Sequence, residues 1–382
     1  MTSPDLRLST REPCTQRDAM RAALRSAPPV ARDGAFPRDW WQHLASRGLL
    51  GIGFDVDCPE KGADWAVIAS LSGLIARETA TVGLAMAWLM NEMLGRFVIA
   101  PYADNDGHRA LLRMMARGQK IAALAISEPR FGAHPKHLSC SAVRQGDHWR
   151  LDGEKSFVSN GPAADVYVVL AVSGQVAERK LFDAYIVDAD ASGLRRLTVD
   201  RAAALAPLGH CGLALNACQI ASSRRLGTRG RAFDHIAKPL RALEDSLLAS
   251  TVVGAMQAEL DTIASSMRGT NPSPARLRSL GALRLELDAL ARLATSSARQ
   301  LESQGPDDRL ANLNAGLRIV LERWQSSFDT FAATRDDHAP NPPSLPRDIR
   351  TVLGIARSVG DARHLSAGSA LIQTKEPDEV PA

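Results

Sequence analysis

Lysine is nearly absent from this chain of 382 residues: Lys61, Lys120, Lys136, Lys155, Lys180, Lys238 and Lys375 stand alone among 46 basic residues. With 42 acidic residues the formal charge is +4, and the arginines are dispersed. No dense basic stripe forms, which argues against a nucleic-acid partner. Cysteine is also scarce. Cys14, Cys58, Cys140, Cys211 and Cys218 are odd in number, and no two have CxxC spacing. That pattern suggests neither a disulfide framework nor a thiolate zinc site. No apolar signal core opens the sequence, because Asp5, Arg7, Arg11 and Glu12 interrupt it. The most apolar run, Val82 to Ala100, is broken by Asn91, Glu92 and Arg96 and reads as a buried helix, not a membrane span. A cytoplasmic protein is the expectation.

What is present is continuous apolar patterning over most of the chain, which excludes general disorder. The length allows two or three domains. Residues 18–118 carry a helical period, with Pro37 in the first turn of a helix and two strongly apolar helices over 64–100. Between 120 and 227 the period shortens. Ile121–Ile126, Val166–Val172, Ala184–Val187 and Leu213–Ile220 read as short strands, and Gln145-Gly146-Asp147-His148 as a hairpin turn. The helical period returns from 232 to 360, interrupted at Asn271-Pro272-Ser273-Pro274 and Gly305-Pro306. The predicted organisation is multidomain α and β. It has an N-terminal helical domain over 1–119, a middle β-barrel domain over 120–227, a C-terminal four-helix bundle over 228–372 and a disordered tail over 373–382.

Two motifs lie in the middle region. Ser127-Glu128-Pro129-Arg130-Phe131-Gly132-Ala133 is followed by Asp152-Gly153-Glu154-Lys155-Ser156-Phe157-Val158-Ser159-Asn160-Gly161. Together they resemble the acyl-CoA dehydrogenase family, whose middle domain carries a T/S-E-P-G-A-G-S-D turn and a hairpin ending N-G-E-K-x-W-I-T-N-G. The similarity runs from about Phe36 to Met256 and includes Leu208-Gly209-His210-Cys211-Gly212. The resemblance implies that family's fold and an FAD site. In that site Ser127 and Ser159 would bond the flavin edge and Phe157 would cover the ring. Gly132 and Ala133 would lie near the pyrophosphate, where small residues let backbone approach. Taken singly, the two serines are turn hydroxyls and Phe157 is a core residue.

The second half departs from the family pattern. Where the family wraps the adenosine-diphosphate end of FAD from a neighbouring subunit, this chain has Arg268-Gly269-Thr270-Asn271-Pro272-Ser273-Pro274 and Phe331-Ala332-Ala333-Thr334-Arg335-Asp336-Asp337. Neither keeps the phosphate-wrapping glycines, and Asp336 and Asp337 would repel a pyrophosphate. The I-Y-E-G-T segment that usually holds the catalytic glutamate is replaced by Gly354-Ile355-Ala356-Arg357-Ser358 after the Arg347-Asp348 pair. Some members, those resembling isovaleryl-CoA dehydrogenase, carry the base in an L-E-R segment. Leu243-Glu244-Asp245 matches it, with aspartate where arginine is usual. Glu244 has Leu240, Leu247 and Leu248 at helical spacing, which places it on or beside an apolar stripe where burial raises a carboxyl's pKa. At the stripe edge, reaching solvent or pairing with Arg241 is the alternative.

The resemblance implies oxidation of the Cα–Cβ bond of an acyl thioester, carried on coenzyme A or a carrier protein. An electron acceptor such as electron-transfer flavoprotein and a homo- or hetero-oligomer are implied with it. A non-catalytic subunit of a heteromeric dehydrogenase, and a flavin monooxygenase or oxidase on the same fold, are alternatives compatible with the missing I-Y-E-G-T. Leu283, Leu287, Leu290, Leu293, Leu313, Leu317 and Leu321 are expected to be buried between subunits. Gly48-Leu49-Leu50-Gly51-Ile52-Gly53 resembles half a dinucleotide loop but ends a helix. Met86, Met90 and Met93 with Trp88 read as core, with the border of an acyl cavity as the alternative, and His134, His137 and His148 as loop histidines without a metal.

Overall fold

The computed structural model describes residues 13–30, 35–54, 62–199, 205–334 and 345–372. The expected tail at 373–382, and Arg335, Asp336 and Asp337, lie outside the described residues. Five helices come first: α1 (Pro13–Arg25), α2 (Arg38–Ala45), α3 (Trp65–Thr79), α4 (Val82–Met93) and α5 (Asp106–Ala116). Every residue of α4 is buried, so Met86, Met90, Met93 and Trp88 are core. The Trp88 indole satisfies its one donor on the Leu49 carbonyl at 2.8 Å. The helical run Val82–Tyr102 is long and apolar enough to cross a bilayer, but 89% of its apolar window is buried inside this fold.

The glycine-rich stretch after α2 makes no phosphate cradle. The Gly51 and Gly53 amides instead donate to the Glu92 carboxylate at 2.7 and 2.8 Å. Glu92 is fully buried, and desolvation pushes its pKa up to about 7 against those amides and the Asn91 side chain. The buried Asn91 Oδ1 has no partner; turning that amide would let it accept a proton from Glu92. A carboxyl raised in the folded state contributes stability that is complete below its unfolded pKa and is lost as pH rises through about 7. Glu92→Gln should therefore flatten the fall in stability between pH 5 and pH 8, while costing about 1–3 kcal/mol at the acid end by setting an NH2 against an amide donor. Urea midpoints at the two pH values check this; an equal loss at both would be the wrong result.

Eight strands form one open sheet. They are β1 (Ala122–Ala125), β2 (Ser141–Gln145), β3 (His148–Ser159), β4 (Val166–Val176), β5 (Arg179–Asp188), β6 (Leu194–Leu197), β7 (His210–Ala221) and β8 (Arg225–Leu226). Their order is β6-β7-β3-β2-β4-β5-β8, with β1 parallel to β4. The expected barrel is not closed. Its two ends are β6, four residues that include Arg195 and Arg196, and β8, two residues, too short to complete a ladder. The predicted hairpin is present, with Gln145 opposite His148. Along β4 the side chains alternate: Val166, Val168 and Leu170 join the helical core, while Tyr167, Val169 and Ala171 fill the inside of the sheet.

The last part is helical: α6 (Lys238–Ser266), α7 (Pro274–Gln304), α8 (Asp308–Ala333), α9 (Leu345–Leu353) and α10 (Arg357–Ile372). The end of the helical period near 360 is covered by two helices, α9 and α10, because Ala356 turns the chain between them at φ +52°. α3 and α6 cross at a glycine pair, where a Cβ on Gly254 would meet the Gly73 carbonyl oxygen at 2.0 Å. That crossing brings both helical parts into one core. It also corrects the expected interface. Leu283, Leu287, Leu290, Leu317 and Leu321 are buried within the chain and Leu313 is half-buried, whereas Leu293 is exposed together with Leu277 and Leu285.

Candidate functional site

The two middle-region motifs meet through a buried ion pair. Lys155 Nζ donates to Glu128 Oε1 at 2.9 Å and to the Ile126 carbonyl at 3.1 Å. The lysine side chain is 0% exposed and the glutamate 6%. Glu128 also accepts from the Ser139 amide at 2.7 Å, the Ser139 hydroxyl at 2.8 Å and the Cys140 amide at 2.9 Å. Burial works to raise its pKa, but the Lys155 charge and these donors outweigh it and hold the carboxyl below its ordinary range. The Ser156 amide donates to the Ser127 carbonyl at 2.8 Å, so the first motif lies beside the second.

This clamp sets the surroundings of the predicted flavin-edge residues. Three steps along β3, from Lys155 to Val158, face two along β7, from Leu213 to Cys211. The bulge holds Phe157 at φ +55°, a left-handed conformation that is uncommon for a large side chain. Its ring is 56% exposed, which rules out the core role. Ser159 is half-buried, and its hydroxyl lies 3.2 Å from His210 Nε2 on β7. The Ser127 hydroxyl, also half-buried, has no hydrogen-bond partner among the described residues. Gly132 closes a tight two-way bridge with Glu128 at φ +60°, and nothing lies within 4 Å of where its Cβ would be. Ala133 is exposed beside it. Two small hydroxyls, an uncovered aromatic ring and an open glycine are the donor set and clearance that a flavin edge requires. The residues of this chain therefore fit the ring portion of FAD.

Glu244 is on α6, where Leu240, Leu247 and Leu248 are buried around it. Its side chain retains 25% of its surface, and Arg241 Nη1 is 3.7 Å from its Oε2. Desolvation raises its pKa, and Arg241 opposes this less strongly. Both readings made from the sequence are thus present together: a carboxyl on the apolar stripe, with a loose ion pair to Arg241. Asp245 takes most of that arginine. It accepts from Arg241 Nε at 2.8 Å and from Nη2, and from Arg318 Nη2 of α8 at 2.6 Å. Arg318 in turn donates to the Leu353 carbonyl at 3.1 Å and to that of Ile355. The segment that replaces I-Y-E-G-T is therefore tied to the helix that carries Glu244. Asp348, of the Arg-Asp pair, is buried and accepts from the Leu205 amide at 3.1 Å.

The turn over 268–274 is exposed, with Gly269 at φ +79° and Ser273 capping α7 through the Arg276 amide at 3.2 Å. It is an ordinary helix–helix turn with no run of glycines. Sequence reading had not singled out Glu128, Lys155, His210 or Arg318. The first three stood inside quoted segments, and for Glu128 and Lys155 a glutamate and a lysine inside an apolar domain were the available signal.

Residues 123–218 match the family described as Acyl-CoA dehydrogenase, middle domain. Isovaleryl-CoA dehydrogenase of Pongo abelii is 27% identical over 229 residues, covering 58% of this chain and 52% of that protein. The chain thus matches about half the length of that relative. Among solved structures, butyryl-CoA dehydrogenase from Megasphaera elsdenii superposes with a TM-score of 0.79 at 18% identity, over 94% of this chain and 98% of that one. A glutaryl-CoA dehydrogenase from Mycobacterium smegmatis in complex with FADH2 gives 0.77 at 17% identity, over 98% of each. With the two motifs clamped side by side in the matched segment, residues 123–218 are an acyl-CoA dehydrogenase middle domain, and the chain as a whole has the fold of these dehydrogenases.

Proposed function

We propose that this protein is an FAD-dependent oxidoreductase that oxidises the Cα–Cβ bond of an acyl thioester, with Glu244 as the base. The observation that carries the reading is the Glu128–Lys155 clamp, which sets Ser127 beside the bulge that turns Phe157 outward. FAD, when bound, supplies the hydride acceptor. Ser127 and Ser159 would hold the edge of its ring and Phe157 would cover a face, with Gly132 and Ala133 toward the pyrophosphate. Glu244, raised by desolvation, would take the α proton from the substrate. The resemblance of this chain to a relative named isovaleryl-CoA dehydrogenase supports a base on α6 instead of after α9. Ala356 stands where the usual glutamate would be, and no carboxylate is within one residue of it. Coenzyme A or a carrier protein as the acyl carrier, electron-transfer flavoprotein as acceptor, an oligomer and a cytoplasmic location belong to the same proposal.

The turn over 268–274 supports a second reading, in which this chain completes a heteromeric dehydrogenase whose other subunit brings the adenosine-diphosphate contacts. Both readings make the same first expectation. The protein purified alone should carry FAD well below one per chain, because only the ring portion of the site is built from its own residues. Absorbance of the purified protein, alone and coexpressed with a flavin-competent paralogue, checks this. Full flavin content in the isolated protein would refute the need for a partner. No bleaching of bound flavin by any of a panel of acyl-CoA thioesters would refute the dehydrogenase reading.

A further inference from the structure

Two carboxylates compete for one guanidinium on α6. Arg241 precedes Glu244 by three residues and Asp245 by four, and both lie within reach of its fork. Asp245 takes Nε and Nη2 together, a two-pronged pair. Glu244 receives only Nη1 at 3.7 Å, beyond hydrogen-bond length. What holds Asp245 in that position is on the far side of the helix. Arg318 donates to it at 2.6 Å while its other arm is fixed by the carbonyls of Leu353 and Ile355. A cavity of about 30 Å3 between α6, α8 and α9 is lined by Asp245, Asn314, Arg318 and Leu353, and not by Glu244, so the two acids face different surroundings.

We propose that Asp245 is a positioning residue: it draws the Arg241 guanidinium onto itself and so keeps the Glu244 carboxylate out of a closed ion pair, free to take a proton. The inference rests on Glu244 as the base for its functional meaning, and on the geometry alone for the arrangement. The charged groups around Glu244 are Arg241 and Asp245 of its own helix and Arg318 of α8; Glu322 of α8 and Arg357 of α10 act on Arg318. Of these, Arg241 is the cation paired with Glu244, with Nη1 3.7 Å from its Oε2. If Asp245 loses its charge, the Arg241 fork has a single carboxylate left to bind, and a closed pair holds Glu244 ionised to lower pH.

The test follows the Glu244 carboxyl directly. The full chain is labelled with carbon-13 at glutamate carboxyls, Glu244→Gln serves as the blank, and the resonance is titrated with pH. The wild-type midpoint should lie above that of ordinary glutamate. Asp245→Asn should lower it by about one pH unit. Adding Arg241→Gln to that variant should abolish the fall, and Asp245→Glu should behave as wild type. An unchanged midpoint in a folded Asp245→Asn protein overturns the proposal. So does a wild-type midpoint at or below the ordinary glutamate value, which needs no variant to fold. The acid limb of the pH–rate profile separates the two ideas. A midpoint that falls in Asp245→Asn while the rate profile stays put upholds the positioning role and removes Glu244 as the base. A rate loss with no change in midpoint overturns the positioning role.

Discussion

Lys155→Met is expected to destabilise the protein by about 3–5 kcal/mol, the cost of leaving a buried carboxylate without its cation. Glu128 is 5% exposed and has no other cation within bonding distance among the described residues. Its remaining donors, two amides and one hydroxyl, cannot neutralise it. Chemical denaturation should show the loss at neutral pH. Acidification should reduce it. In the wild type the carboxyl is held below its ordinary range, so its stabilisation is present above the unfolded pKa and is lost as pH falls through the folded value. In the variant the same carboxyl is destabilising until it is protonated, and the two proteins should converge in acid. Glu128→Gln combined with Lys155→Met should recover part of the loss, because no charge is stranded and the amide oxygen can keep the two Ser139 donors, while its NH2 is left facing the Cys140 amide. A single variant as stable as wild type would mean that the pair does not hold the two motifs together. The same single variant should lose FAD, since Ser127 is tied to β3 only through this region.

Glu244→Gln is expected to reduce dehydrogenation of an acyl thioester by about two to four orders of magnitude, the usual contribution of a positioned general base. The amide keeps the shape of the side chain but cannot take the proton. Substrate binding should change little, so the loss should appear in kcat and in kcat/KM equally. Stability should rise or stay level, because a carboxyl held at a desolvation cost is replaced by a neutral group and its pairing with Arg241 is loose. Steady-state turnover on a reconstituted or coexpressed holoenzyme decides the matter. A turnover number within twofold of wild type would remove Glu244 as the base and favour the oxidase or monooxygenase reading, which requires no α-proton abstraction. Loss of both activity and fold would contradict the loose pairing seen at 3.7 Å.

The order of the long helices and of most strands was legible in the sequence, since apolar runs and hydrophobic period are local properties, whereas the short strands β6 and β8 and the split into α9 and α10 were not. The two middle motifs, the Gly146 hairpin and the placement of Glu244 on an apolar stripe were legible for the same reason. Bulges and long-range partners were not. Phe157 reads as core in any alternating strand, and only the mismatch of β3 against β7 turns its ring outward. The strand content suggested a barrel, but closure depends on whether the last strands are long enough to pair, and β8 has two residues. Leucines at helical spacing on α7 and α8 were legible as an apolar face. Which surface covers that face was decided by the crossing of α3 and α6, which lets one chain fill its own bundle. Charge compensation is the deepest of these limits. Glu128 finds Lys155 at 27 residues' distance, Gly51 finds Glu92 at 41, and Asp245 finds Arg318 at 73. A buried charge must be paired, but the partner is chosen by the folded path of the chain, because electrostatic and hydrogen-bond energies depend on distance in space and not on distance in sequence.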